Sequence, residues 1–117
     1  MVKATFRSDT NSGVITLKVT GHAGAAEKGK DIICASASIL AYTVAQIAKY
    51  MHSLGQLKKK PTIKLESGNA TIVVKPRDKF YGEAMQSFFV AQVGYSLLAH
   101  NYPDYVGLTM FGEAEQA

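Results

Sequence analysis

Val14-Ile15-Thr16-Leu17-Lys18-Val19-Thr20 alternates apolar and polar side chains, and that period of two is the pattern of a half-buried strand with Ile15, Leu17 and Val19 inward. Upstream, Val2 to Arg7 alternates in the same way, with Val2, Ala4 and Phe6 on one face and Lys3, Thr5 and Arg7 on the other. Ser8 to Gly13 between them is a cluster of turn formers, so the two runs are expected to form a hairpin. Further on, Thr62 to Glu66 and Ala70 to Lys75 alternate again around Ser67-Gly68-Asn69, which predicts a second hairpin.

Two helices are expected between and after these hairpins. The first starts at Asp31, whose carboxylate suits the N-cap, and stops at Gly55. Its large apolar residues, Leu40, Val44, Ile47, Met51 and Leu54, recur at helical spacing, while Ala35, Ala37, Ala41, Ala45 and Ala48 thin its other faces. The second runs from about Phe80 to His100, with Tyr81, Met85, Phe88, Gln92, Tyr95 and Ala99 near one stripe and Pro103 beyond its end. The expected fold class is therefore α+β: a two-layer domain in strand-strand-helix-strand-strand-helix order, two hairpins covered by two helices. One domain is expected over residues 1–111, with Tyr105 to Leu108 docking back on the core and residues 112–117 as a frayed tail.

Composition bounds the function classes. The chain has 117 residues, 47% of them apolar and 19% charged, which is an ordinary soluble profile with room for one core. No run is read as membrane-spanning, and Met1-Val2-Lys3-Ala4 lacks the apolar stretch of a secretory signal, so a cytoplasmic protein is expected. A net charge of +4 favours loose attraction to acidic partners, but no aromatic-basic motif points to a specific nucleic acid. Lys58, Lys59 and Lys60 read as a solvated connecting loop. His52 and His100 lie near helix ends without companion ligands, so neither a metal nor another cofactor is expected.

The segment that carries chemistry is Gly21-His22-Ala23-Gly24 followed by Gly29-Lys30-Asp31-Ile32-Ile33-Cys34-Ala35-Ser36-Ala37-Ser38. Cys34 is the one cysteine, so no disulfide forms within the chain. With Asp31 as cap, Cys34 falls in the first helical turn, where unpaired amides and the helix dipole stabilise a thiolate and offer an oxyanion hole. His22 leaves the strand end across a glycine-rich loop (Gly21, Gly24, Gly29) expected to be mobile and to gate the site. A thiolate to attack a carbonyl and an imidazole to move the proton are the minimum for nucleophilic catalysis. Two supporting residues stay open. Asp31 either caps the helix or orients His22; Ser38, one turn after Cys34, either serves the site or bonds its own preceding turn.

The run GHAGAAEKGKDIICASAS resembles the signature of the ribosomal-processing cysteine protease family Prp, and Asn101-Tyr102-Pro103-Asp104-Tyr105-Val106 resembles that family's ending. The resemblance implies a homodimeric α+β protease with His22 and Cys34 as its catalytic pair. It also implies a substrate: the short N-terminal extension of the large-subunit ribosomal protein L-twenty-seven, cut after an apolar, aromatic-ending stretch. Ile33 and Ser36 stand where valine and alanine are commoner in that family, and Met110 to Ala117 runs past its usual end. The competing reading is a ribosome-associated binding module without catalysis, in which Cys34 only packs.

Overall fold

The computed structural model describes residues 1–22 and 28–113, with the side chains of 28–31 outside that description. Five strands and two helices follow in the order β1 (Val2–Asp9), β2 (Val14–Thr20), α1 (Lys28–Ser53), β3 (Thr62–Glu66), β4 (Asn69–Val74), α2 (Tyr81–Asn101) and β5 (Val106–Thr109). A single 3-10 turn, Asp78–Phe80, leads into α2.

Both expected hairpins form, and they merge. β2 pairs antiparallel with β4, Leu17 opposite Ile72, so the strands make one sheet in the order β3-β4-β2-β1-β5. The segment expected to dock after Pro103 adds a fifth strand, parallel to β1 with Val106 beside Val2. The alternation has its anticipated consequence. Val2, Ala4 and Phe6, Ile15, Leu17 and Val19, and Ile72 and Val74 are buried on one face, under both helices. This is the two-layer α+β arrangement that the hydrophobic pattern predicts.

α1 differs from its expectation in two ways. Its buried face is made by Ile33, Ala37, Ala41, Val44, Ala45, Ala48 and Met51, whereas Leu40 and Ile47 are half-buried and Leu54 is exposed. The small side chains face the core, because alanine lets a helix axis approach its neighbours closely. Ile32–Ser53 is also long and apolar enough by composition to cross a membrane, contrary to expectation. Only 33% of its most apolar window is buried in the fold, and Ile32 and Ile39 are exposed on the same helix. Gly55 ends the helix as expected: with φ at 71° it donates to His52 O at 3.0 Å, and Gln56 N–H reaches Met51 O at 2.9 Å.

α2 packs across β1, β2 and β5, burying Ala84, Phe88, Ala91, Gln92 and Tyr95. Phe6 stands edge-on to Tyr95 and to Phe111, with ring centroids 5.9 and 5.4 Å apart. The buried Gln92 is satisfied by Phe111 N–H, which donates to its Oε1 at 2.8 Å. Glu113, in the expected tail, accepts from Met110 N–H at 2.8 Å, and residues 114–117 lie outside the described residues.

Candidate active site

Two backbone turns meet at the end of β2. Gly21 takes a φ of 89°, and its N–H donates to Gly68 O in the β3–β4 turn at 2.9 Å. A side chain at Gly21 would run into the carbonyl oxygen of Met1, so only glycine lets the strand leave the sheet here. His22 follows at once, exposed, with its ring against Gly68.

Cys34 approaches from the other layer. It is half-buried on α1, and Ala37, Ser38, Ala41 and Tyr42 continue its stripe at positions three, four, seven and eight residues on. This stripe and the β3–β4 turn face each other across a cleft of about 380 Å³, which His22 and Cys34 both line. Val2, Val19, Leu65 and Ala70 give the cleft apolar walls, and Glu66, Ser67 and Asn69 add polar groups at its rim. The structure thus brings together the two residues that the sequence singled out, although they are 12 positions apart in the chain. Among the described residues no hydrogen bond joins them directly.

The supporting residues fare differently. α1 begins at Lys28, so Asp31 is its fourth residue and not the N-cap, and Cys34 stands in the second turn rather than the first. The unpaired amides belong to residues 28–31. The unpaired first-turn amides expected to form an oxyanion hole at Cys34 are therefore not in the turn that carries it. Gly29 belongs to the helix and not to a gating loop, because flanking lysines favour helix enough to carry one glycine through. Gly21 is pinned to Gly68, and Gly24 lies outside the described residues. Ser38 lines the cleft, and among the described residues its side chain makes no bond to its preceding turn; Ser36 is the serine that does this, donating to Ile32 O at 2.7 Å.

Tyr42, Leu65 and Gly68 escaped the sequence reading. Tyr42 had a signal, since eight residues after Cys34 is two turns along the same face. Leu65 and Gly68 had none, because their place in the site depends on β4 pairing with β2.

Comparison with known proteins follows the same lines. A family model described as cysteine protease Prp matches residues 1–107. The chain is similar to the ribosomal processing cysteine protease Prp of Bacillus subtilis (strain 168), at 36% identity over 42 residues. That match spans 36% of this chain and 38% of the relative's length. In fold it is similar to SMU.848 of Streptococcus mutans, with a TM-score of 0.66, 24% identity and coverage of 95% of both chains. An essential ribosomal processing protease Prp from S. aureus, solved in complex with a substrate peptide, gives a TM-score of 0.64 at 19% identity. The match covers 95% of this chain and 99% of that one. The S. aureus protein has also been solved with a covalently linked product peptide, at the same TM-score and 20% identity.

Proposed function

Because the chain belongs to the cysteine protease Prp family, we propose that it is a cysteine endopeptidase in which Cys34 is the nucleophile and His22 the general base. One observation carries this reading: His22 and Cys34, from opposite layers of the fold, line a single cleft. His22 takes the thiol proton and the Cys34 sulfur attacks the scissile carbonyl. The imidazolium then protonates the leaving amine as the C–N bond breaks, leaving a thioester. Water, deprotonated by His22, hydrolyses that thioester and restores the thiol.

The substrate proposed is the N-terminal extension of the large-subunit ribosomal protein L-twenty-seven, cut in the cytoplasm. Two features support this substrate, the first its apolar, aromatic end and the second its ribosomal origin. Tyr42 and Leu65 stand at the cleft partly exposed, at 52% and 40%, and small residues (Ala37, Ala41, Ala70) leave room between them. The processing role named for the relatives in Bacillus and S. aureus points the same way. A homodimer is also proposed. On α2, Phe89, Val90, Val93 and Leu97 are exposed along one stripe, an apolar face that a second copy would cover.

Mass spectrometry of a peptide carrying that extension, incubated with the protein and with Cys34→Ala, tests the reading. A single cut after the aromatic end, absent with the variant, is expected. No cut by a folded, dimeric protein would overturn the assignment of activity and substrate.

A further inference from the structure

We infer that Gly68, at the tip of the β3–β4 turn, is a positioning residue that holds the imidazole of His22 in the cleft. The inference rests on the proposed role of His22. It goes further by assigning a function to a turn in the opposite hairpin, 46 positions along the chain.

Three observations meet at this residue. A Cβ built on Gly68 would lie 2.6 Å from His22 Nε2, 3.2 Å from Cε1 and 3.4 Å from Cδ2, so the ring occupies the space a side chain would need. The same residue accepts from Gly21 N–H at 2.9 Å, which fixes the backbone one position before His22 to the turn that its ring touches. Finally, His22 is exposed, so among the described residues little else restrains the ring if this contact is lost. A side chain at position 68 therefore leaves the fold in place and pushes the ring, because the tip of an exposed imidazole moves more readily than a turn paired into the sheet. Gly68 does not touch the reacting atoms; it acts through His22.

Gly68 also has a φ of 73°, so any substitution there strains the turn as well. The molecule contains its own control. Gly13, in the β1–β2 turn, has the same φ of 73°, and a Cβ built on it meets nothing within 4 Å. Strain is common to both positions, whereas the contact with His22 belongs to Gly68 alone.

The experiment compares Gly68→Ala and Gly68→Asn with Gly13→Ala and Gly13→Asn; asparagine tolerates the left-handed backbone and still carries a Cβ. Urea unfolding, peptide-cleavage kinetics and the His22 ring resonances, assigned by their loss in His22→Ala, are read for each full-length variant. Both positions are expected to lose similar stability, more for alanine than for asparagine. Only the Gly68 pair lowers kcat, by about a hundredfold, the scale of a misplaced catalytic group, with KM within about threefold. Only that pair shifts the His22 resonances. Wild-type kcat in either folded Gly68 variant, or equal ring shifts at both positions, overturns the inference. So does unfolding of both Gly68 variants while both Gly13 variants fold, since the contact would then serve stability. If His22→Ala keeps full activity, the proposed role of His22 fails, and the ring shifts alone still decide whether Gly68 positions it.

Discussion

The phenol of Tyr95 in α2 donates to the carbonyl oxygen of Ala37 in α1 at 2.6 Å, inside the core. Burial raises the phenol well above its ordinary pKa, an effect that the nearby Ala41 N–H only partly offsets, so the donor keeps its proton throughout the working pH range. Ala37 is one turn beyond Cys34 and lines the cleft. The bond thus ties the helix that carries the thiol to the helix that spans the sheet. Tyr95→Phe removes the donor but leaves Ala37 its ordinary helical partner, so the loss is about one net hydrogen bond, roughly 0.5–1.5 kcal/mol. For a chain of this length that is a drop in Tm of roughly 2–6 °C. Scanning calorimetry checks it, and an unchanged Tm would show that the bond contributes nothing net.

Tyr42 and Leu65 offer the cleft's larger partly exposed apolar surfaces, one from the helix and one from the edge strand. If they hold the aromatic end of the substrate, each truncation to alanine removes contact made equally in the ground and transition states. KM is then expected to rise about tenfold for each, a loss of about 1.4 kcal/mol, with kcat little changed. Steady-state kinetics on the extension peptide check this. A fall in kcat at constant KM would place these residues in the chemistry instead.

What could be read from the chain followed local periodicity. The faces of β1, β2 and β4 were legible because one residue in two must point to the core, and the alternation of Ile15, Leu17 and Val19 is unbroken. His22 and Cys34 were singled out less by local pattern, a strand end and a run of small helical residues, than by the resemblance of the whole run from Gly21 to Ser38 to a family signature. The start of α1 was not, since Gly29 and the lysines around it give no sharp boundary. The alanine face of α1 was hidden by its larger neighbours, whose size suggested that they were the core. β5 is four residues long, includes Gly107, and exists by parallel pairing with the far end of the chain, for which no local pattern is available. Gly68 was read as a turn residue, and its second role depends on a contact made only in three dimensions.

The two glycines of α2 should answer differently to alanine. A Cβ on Gly82 meets nothing within 4 Å, whereas one on Gly94 would lie 2.7 and 2.9 Å from the methyls of Leu40 in α1. Alanine is favoured over glycine in a helix by up to about 1 kcal/mol, so Gly82→Ala is expected to stabilise by that order. At Gly94 the same gain is cancelled by displacement of Leu40. In a Leu40→Ala background the obstruction is gone, and Gly94→Ala recovers the gain. Urea unfolding of the four members of this cycle measures the coupling. Additive effects would mean that the two helices have room to spare.

Asp9 closes the β1–β2 turn by accepting from Asn11 N–H at 2.9 Å and, more weakly, from Ser12 N–H at 3.4 Å. The Asn11 amide first, then Ser12, hold its carboxyl below the ordinary carboxylate value, even though the residue is fully solvent-exposed. A group whose pKa is lower in the folded state contributes stability that is complete above its unfolded pKa, near about 4, and is lost as pH falls through the folded value. Asp9→Asn keeps an oxygen acceptor but does not titrate. Wild type should therefore lose more of its urea midpoint than Asp9→Asn between pH 6 and pH 3, with the difference confined to that acid window. Parallel midpoints across the range would mean that the amides bind the charged and neutral carboxyl equally well. The turn's order would then rest on the backbone bond from Gly13 N–H to Asp9 O, at 2.7 Å, and not on the charge.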